Sequence, residues 1–341
     1  MKTGAKIALT AALCLLVLVM AMCIGSVSIP PGDIAGILAN KLFGLPLKER
    51  ISNINAEILW KIRLPRALMA FIVGGALAAS GTVMQSVLRN PLASSYTLGV
   101  SSGASLGAGL VMLTGASFSF VGMFTLPLVG FVFGLGTVFL AMGMTARLDR
   151  NMENQTIILM GMVLSLFVNA ILTLVTALSR EHLQQLVFWQ MGSFSSKYWI
   201  HVAVVAPLLV VCLILLMRYT REMDIMTFGE EQALSAGVEL KNIKFLLIAI
   251  CALMTGTAVA FVGTIGFVDL IAPHVVRRVF GVKHVVVLPV SALFGGAFMA
   301  LADLVSRTVL APQELPVGAV TALIGAPFFA YVYFKRRKKA V

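Results

Sequence analysis

The chain has 341 residues, 59% of them hydrophobic and 12% charged, with a formal net charge of +12 and a mean hydropathy of +0.98. Soluble globular proteins are about 45–50% apolar and about 25% charged, so the balance excludes a soluble domain and reads as a polytopic membrane protein. The positive charge follows the excess of lysine and arginine found beside membranes and anionic lipid, and does not mark a nucleic-acid binder.

The amino-terminal segment MKTGAKIALTAALCLLVLVMAMC predicts a first span over 7–32. Its apolar run is too long for a signal peptide, and no small-x-small cleavage pattern follows. Further charge-free runs cover 67–88, 90–146, 154–179, 198–217, 245–268, 285–302 and 315–334. A span needs about 20 apolar residues, so 90–146 holds two, broken near 115–120. With a short segment over 270–280, the pattern predicts an all-α fold of about ten transmembrane helices. One single transmembrane domain then covers 1–341. Gly99, Gly103 and Gly107, Gly74 and Ala78, and Gly130 and Gly134 repeat a spacing that lets helix backbones approach closely in lipid.

Placing both termini in the cytoplasm puts Lys2, Lys6, Arg89, Arg147, Arg150, Arg218, Arg221, Lys241, Lys244, Arg277, Arg278, Lys283 and the 335–339 cluster inside. A smaller outer set includes Lys41, Lys48, Arg50, Lys61, Arg63, Arg66, Arg180, Lys197 and Arg307. The chain is thus expected to be a multi-pass protein of the cell membrane. Its four cysteines lie inside apolar runs without metal-ligand spacing, as small buried residues do. No G-x-x-x-x-G-K-[ST] loop occurs, so the chain does not bind ATP by that route.

Three segments interrupt the apolar pattern. Asn90–Pro91 is either a turn between spans or non-helical backbone lodged inside protein. The segment 180–197 has Trp189 within it and Trp199 just beyond, residues that suit the membrane interface; it predicts a short helix and a hinge at Gly192 and Ser193. GFVDLIAPHVVRR (266–278) predicts a short, partly re-entrant helix with Asp269 as its N-cap and Pro273 in its first turn. It would end near Phe280, after about 15 Å, with Arg277 and Arg278 at the cytoplasmic surface. Asp269 is a cap or an intramembrane functional carboxylate. His274 is a packed histidine or a proton carrier. Asp303 and Arg307, four apart, predict a pair on one helix face. MTFGEEQALSAGVELKNIK (226–244) predicts a short surface helix carrying Glu230, Glu231, Ala233 and Leu234, entered at Gly229 and stopped by Gly237.

Several stretches together resemble the permease subunits of ABC importers for iron–siderophores, haem and cobalamin, the FecCD family of type II importers. They are RLPRALMAFIVGGALAASGTVMQSVLRNPLASSYTLGVSSGASLG (63–107), FGEEQALSAGV (228–238), GTIGFVDLIAPHVVRR (263–278) and ALADLVSRTVLAPQELPVGAVTALIGAPFF (300–329). The resemblance extends from Arg63 to near the end of the chain. It implies ten helices, the short one being helix 8, and a dimer with a second or homologous permease, with the pathway at their interface. It also implies a cytoplasmic P-loop ATPase subunit that binds ATP, leaving no cofactor in this chain, and an extracellular or periplasmic solute-binding protein. Phe228, Gly229, Glu230, Glu231, Ala233, Leu234 and Gly237 would couple to the ATPase, and Arg63, Arg66 and Arg307 would meet acidic side chains of the binding protein.

Asn90, Pro91, Gly192, Ser193 and Asp269 are the candidates for pathway or gate. Asp269 stands where the family usually has glycine, and Phe228 and Ala236 stand where it usually has leucine. The expected cargo is an iron–siderophore complex, with haem and cobalamin open. The alternative is a proton-coupled secondary transporter using Asp269, His274 and Asp303. An enzyme lacks support, since neither H-E-x-x-H nor a Ser/His motif occurs.

Overall fold

The computed structural model describes residues 3–47, 51–119, 121–149, 151–178 and 183–337, giving only the backbone of Leu178 and of 332–337. Lys2, Lys48, Arg50, Arg150 and Arg180, and Lys338 and Lys339 of the 335–339 cluster, lie outside the described residues. Among those described there is no strand. The helices are α1 Thr3–Cys23, α2 Pro31–Phe43, α3 Asn53–Glu57, α4 Leu64–Val87, α5 Val100–Thr114, α6 Thr125–Leu148, α7 Asn154–Leu178 and α8 Leu183–Gln190. They continue with α9 Trp199–Met217, α10 Thr220–Met226, α11 Glu230–Ser235, α12 Leu240–Val262, α13 Val268–Phe280, α14 His284–Thr308 and α15 Val317–Arg337. A π-helical turn, Ile58–Arg63, carries α3 into α4 without a break.

Among the described residues seven helices are long and apolar enough to cross a membrane: α1, α4 with its lead-in, α6, α7, α9, α12 and α14. α5 and the first part of α15 are shorter and apolar, and α13 has 13 residues. Together they occupy every position at which the sequence predicts a span. The polar stretch 28–61 additionally holds α2 and α3. α2 opens on Pro31, where a missing N–H costs nothing, and stops at Gly44 in the left-handed conformation.

α4 is buried over nearly its whole length and α12 over most of it, whereas α1, α6, α7 and α9 keep long apolar faces outward. Small residues set the inner contacts. A Cβ on Gly74 of α4 would stand 2.4 Å from Gly295 O of α14, and one on Gly103 of α5 would stand 2.5 Å from Phe133 O of α6. Without a hydrophobic drive between helices in lipid, such close backbone contact supplies the packing energy.

The N-cap expected of Asp269 is corrected. Phe267, at φ +71°, is the cap of α13, and Asp269 is the second residue of the helix. The Asp269 carboxylate instead accepts a hydrogen bond from Ser94 Oγ, on the segment between α4 and α5. A bare backbone makes room for it: a Cβ on Gly81 of α4 would lie 2.0 Å from Asp269 O.

Candidate transport site

The serines of α5 and the polar face of α7 meet at a cavity of about 260 Å³. Ser101, Ser102 and Ser105 line it from α5, and Ser165 and Asn169 from α7. Tyr96, Gln190 and Thr264 close it from the ends of neighbouring segments. No charged side chain lines it. Tyr96 Oη donates to Ile265 O at 2.9 Å, Ser102 Oγ to Gly99 O at 3.0 Å, Ser165 Oγ to Gly161 O at 2.7 Å and Thr264 Oγ1 to Gln190 O. Each hydroxyl so engaged keeps lone pairs free as acceptors. The Ser105 hydroxyl, on a residue only 4% exposed, and the Asn169 carboxamide make no hydrogen bond among the described residues. The cavity therefore offers donors and acceptors without net charge. It suits a neutral hydrogen-bonding surface and gives no counter-charge to a stripped ion.

A continuous polar chain leads from this cavity to α10. Tyr96 N–H donates to Ser94 Oγ at 3.1 Å, and Ser94 holds the Asp269 carboxylate. Gln85 Nε2 donates to Asp269 O at 3.2 Å, and Gln85 Oε1 accepts from Arg277 Nη1 at 2.5 Å. Arg277 Nη2 reaches Thr82 O and Ser86 Oγ, both at 3.1 Å. Ser86 Oγ lies 2.6 Å from His284 Nε2, and His284 Nδ1 lies 2.5 Å from Asp224 Oδ1 on α10. Ser86, His284 and Asp224 have the order of a hydrolytic triad. Ser86 is nevertheless only 4% exposed, wedged among helices and sharing its oxygen with a guanidinium, so it serves as a joint.

Asn90 and Pro91 begin the non-helical stretch beside this chain. Asn90 Oδ1 accepts Leu92 N–H at 2.9 Å, which makes a local turn, and Pro91 is exposed. Ala93, Ser94 and Ser95 then plunge into the protein, where Ser80, Ser95 and Thr255 share hydroxyl hydrogen bonds. Of the two readings of this break, buried non-helical backbone describes 93–94, ahead of a 3₁₀ helix over Ser95–Leu98, and a turn describes 90–92. Gly192 and Ser193 form a fastened joint. Ser193 N–H donates to Val262 O at 2.8 Å, and Gly192 O accepts Val317 N–H at 3.1 Å. Gly192 has φ +76°, and a Cβ there would stand 2.6 Å from Ile265 Cγ1, so both conformation and space demand glycine.

At the opposite end from α10, the three arginines turn inward. Arg63, 5% exposed, donates to Met22 O at 2.9 Å, Cys23 O at 3.0 Å and Val27 O. Arg66 binds Asp303 through Nε at 3.0 Å and Nη2 at 2.8 Å, and Glu314 through Nη1 at 2.7 Å. Arg307 donates to Ala21 O, with its Nε 3.7 Å from Asp303. Arg63 and Arg307 thus satisfy carbonyls at and just beyond the carboxyl end of α1, where a helix dipole favours cations. The guanidiniums expected to meet a binding protein are thus spent inside the chain. The expected Asp303–Arg307 pair is present but loose, because Arg66 takes the carboxylate.

α11 forms over Glu230–Ser235 and closes as the sequence predicts, with Gly237 N–H to Leu234 O at 2.9 Å and Val238 N–H to Ala233 O at 3.0 Å. Ala233 is fully buried beneath it, while Phe228, Glu231 and Leu234 are exposed. Glu230 faces back to Lys244, which spacing alone could not reveal. Among the described residues no group of three or more His, Cys, Asp or Glu stands ready to hold a metal.

The model of the FecCD transport family matches residues 13–335. An uncharacterised ABC transporter permease protein of Bacillus subtilis, YvrB, is 37% identical over 94% of this chain and 91% of its own. The cobalamin import system permease protein BtuC of Halobacterium salinarum is 38% identical over 88% of this chain and 79% of its own. Among solved structures, an inward-facing metal-chelate type ABC transporter superposes with a TM-score of 0.84 at 29% identity, covering 97% of this chain and 99% of that one.

Proposed function

We infer, from the premise that this chain belongs to the FecCD transport family, that it is the membrane-spanning subunit of an ATP-driven importer for a metal chelate. The chain is a multi-pass permease and not an enzyme. The proposed cargo is an iron–siderophore complex, with haem and cobalamin as the alternatives. An external solute-binding protein delivers it, and a cytoplasmic P-loop ATPase supplies the energy. A second permease copy or a homologue completes the pathway. Both termini face the cytoplasm in this reading.

The observation that carries the cargo assignment is the uncharged cavity formed by Tyr96, Ser101, Ser105, Ser165, Asn169 and Thr264. A chelate keeps its metal wrapped and shows the protein a hydrogen-bonding rim. Neutral hydroxyls and amides hold such a rim weakly enough to release it, and affinity resides in the binding protein. α11 and its flanks, from Phe228 through Glu231 and Leu234 to Gly237, form the ATPase contact. The joint at Gly192 and Ser193 gates the pathway, and the turn at Asn90 and Pro91 borders it. The binding protein docks at the end framed by Arg63, Arg66 and Arg307, where its carboxylates must displace Asp303 or Glu314 to reach a guanidinium.

A proton relay draws less support. Asp303 is committed to Arg66, and Asp269 to Ser94, in separate hydrogen-bond networks. The test is reconstitution in liposomes with the ATPase and binding protein. ATP-dependent accumulation of the ferric chelate is expected, and accumulation on a pH gradient without the ATPase would overturn the reading.

A further inference from the structure

A second cavity, of about 230 Å³, opens beside the start of α9, between α6, α8 and the carboxyl end of α12. Lys197 and His201 enter it with the hydroxyl-bearing Ser195, against walls that include Phe188 and Phe261. Lys197 makes no hydrogen bond or ion pair among the described residues, and burial pushes its ammonium below the ordinary lysine value. His201 Nδ1 accepts the Tyr198 N–H at 3.1 Å, which leaves the proton of a neutral ring on Nε2 as a free donor. An unmatched cation and an unspent N–H thus share one concavity.

The surroundings say what kind of anion would fit. Met123 and Phe188 on the rim are 68% and 58% exposed. Below them the outward faces of α6 and α9 continue as exposed Leu128, Val132, Val204 and Val211. Lys197 precedes α9 beside Tyr198 and Trp199 in the chain and shares the cavity wall with Trp189, residues that favour the headgroup level of a bilayer. A free phosphate would use the cation and leave the apolar rim unused, whereas a phospholipid uses both.

We propose that this cavity binds the phosphate of an anionic phospholipid, held by Lys197, His201 Nε2 and Ser195, with its acyl chains along α6 and α9. The site is separate from the uncharged cavity and does not depend on which cargo is carried.

The test measures lipid retention by native mass spectrometry, after exchange into a neutral detergent with mixed phosphatidylglycerol and phosphatidylcholine. The wild type should retain phosphatidylglycerol preferentially, and Lys197→Met should lower that preference about fivefold, the effect of one basic residue at an anionic surface. Lys197→Arg should keep it. Ser195→Glu, on an exposed residue, should abolish it and serves as the second variant if Lys197→Met does not fold. Equal retention of both lipids by the wild type, or wild-type preference in Lys197→Met and Ser195→Glu, would overturn the site. Full competition by soluble glycerophosphoglycerol would overturn its assignment to lipid, and occlusion of the cavity by a second copy or the binding protein would do the same.

Discussion

Lys244 has no exposed side-chain surface, and its ammonium stands 2.7 Å from the Glu230 carboxylate and 3.0 Å from Met152 O. The pair fastens α11 to α12 and to the segment between α6 and α7. The two ends are unequal: Glu230 is 31% exposed and can be hydrated, whereas Lys244 cannot. Glu230→Ala should therefore cost about 3–5 kcal/mol by stranding a buried cation, and Lys244→Met distinctly less. Thermal melts of both variants, with hydrogen exchange across 228–238, check this; equal losses would contradict the asymmetry.

The exposed side of α11 should behave differently. Glu231→Arg with Leu234→Asp leaves the buried Ala233 and the Lys244 pair untouched. The double variant should insert and melt normally but lose uptake by about tenfold or more, as changes at interface hot spots do. Co-purification of the ATPase subunit is the direct readout, and normal recovery with normal uptake would remove α11 from the coupling surface.

Arg66 grips Asp303 through Nε and Nη2 and Glu314 through Nη1 and Nη2, at 9% side-chain exposure. Arg66→Met should destabilise the protein by about 3–5 kcal/mol, because the Asp303 carboxylate keeps only the loose Arg307 contact. Adding Asp303→Leu should recover much of that loss. Arg66→Lys should rescue poorly, since an ammonium cannot reproduce the fork. If the arginines also dock the binding protein, the stabilised double variant still loses association. Unchanged affinity and salt dependence would place the docking contacts elsewhere.

Gly81 tests the seat of α13. A Cβ there would overlap Asp269 O at 2.0 Å, so Gly81→Ala should push α13 from α4 and loosen the Gln85 and Ser94 contacts. Overpacking of this kind costs about 1–3 kcal/mol. Gly136, with nothing within 4 Å of its added Cβ, is the control, and Gly136→Ala should be neutral or slightly stabilising. Equal melting temperatures for the two variants would show that α13 gives way freely.

What the sequence discloses follows the range of the interaction. Spans were legible because a charge-free run and its length are local, as were the end of α11 at Gly237 and the brevity of α13. The cap of α13 was misread because Asp269 has a partner 175 residues away. Glu230 read as a surface charge because its partner Lys244, 14 residues on in the same segment, reaches it only through tertiary packing. The small-residue spacing foretold close helices but not which ones meet. The uncharged cavity went unread, since Ser165, Asn169, Gln190 and Thr264 join the α5 serines only through tertiary packing. α2 and α3 went unread although Pro31 and Gly44 mark the ends of the first.

The inward turn of Arg63 and Arg307 bears on how the protein is made. Domains form as the chain emerges, amino-terminal parts first. α1 therefore reaches the bilayer before its closing partners exist. Arg63 arrives 41 residues after Met22, but Arg307 follows Ala21 by 286. Until then the Ala21 carbonyl must look to headgroup water, because hydrocarbon would leave it unsatisfied. α1 is thus delivered before α4 and α14 yet is one of the last helices to be sealed, and the nascent permease closes around it only when α14 is in place.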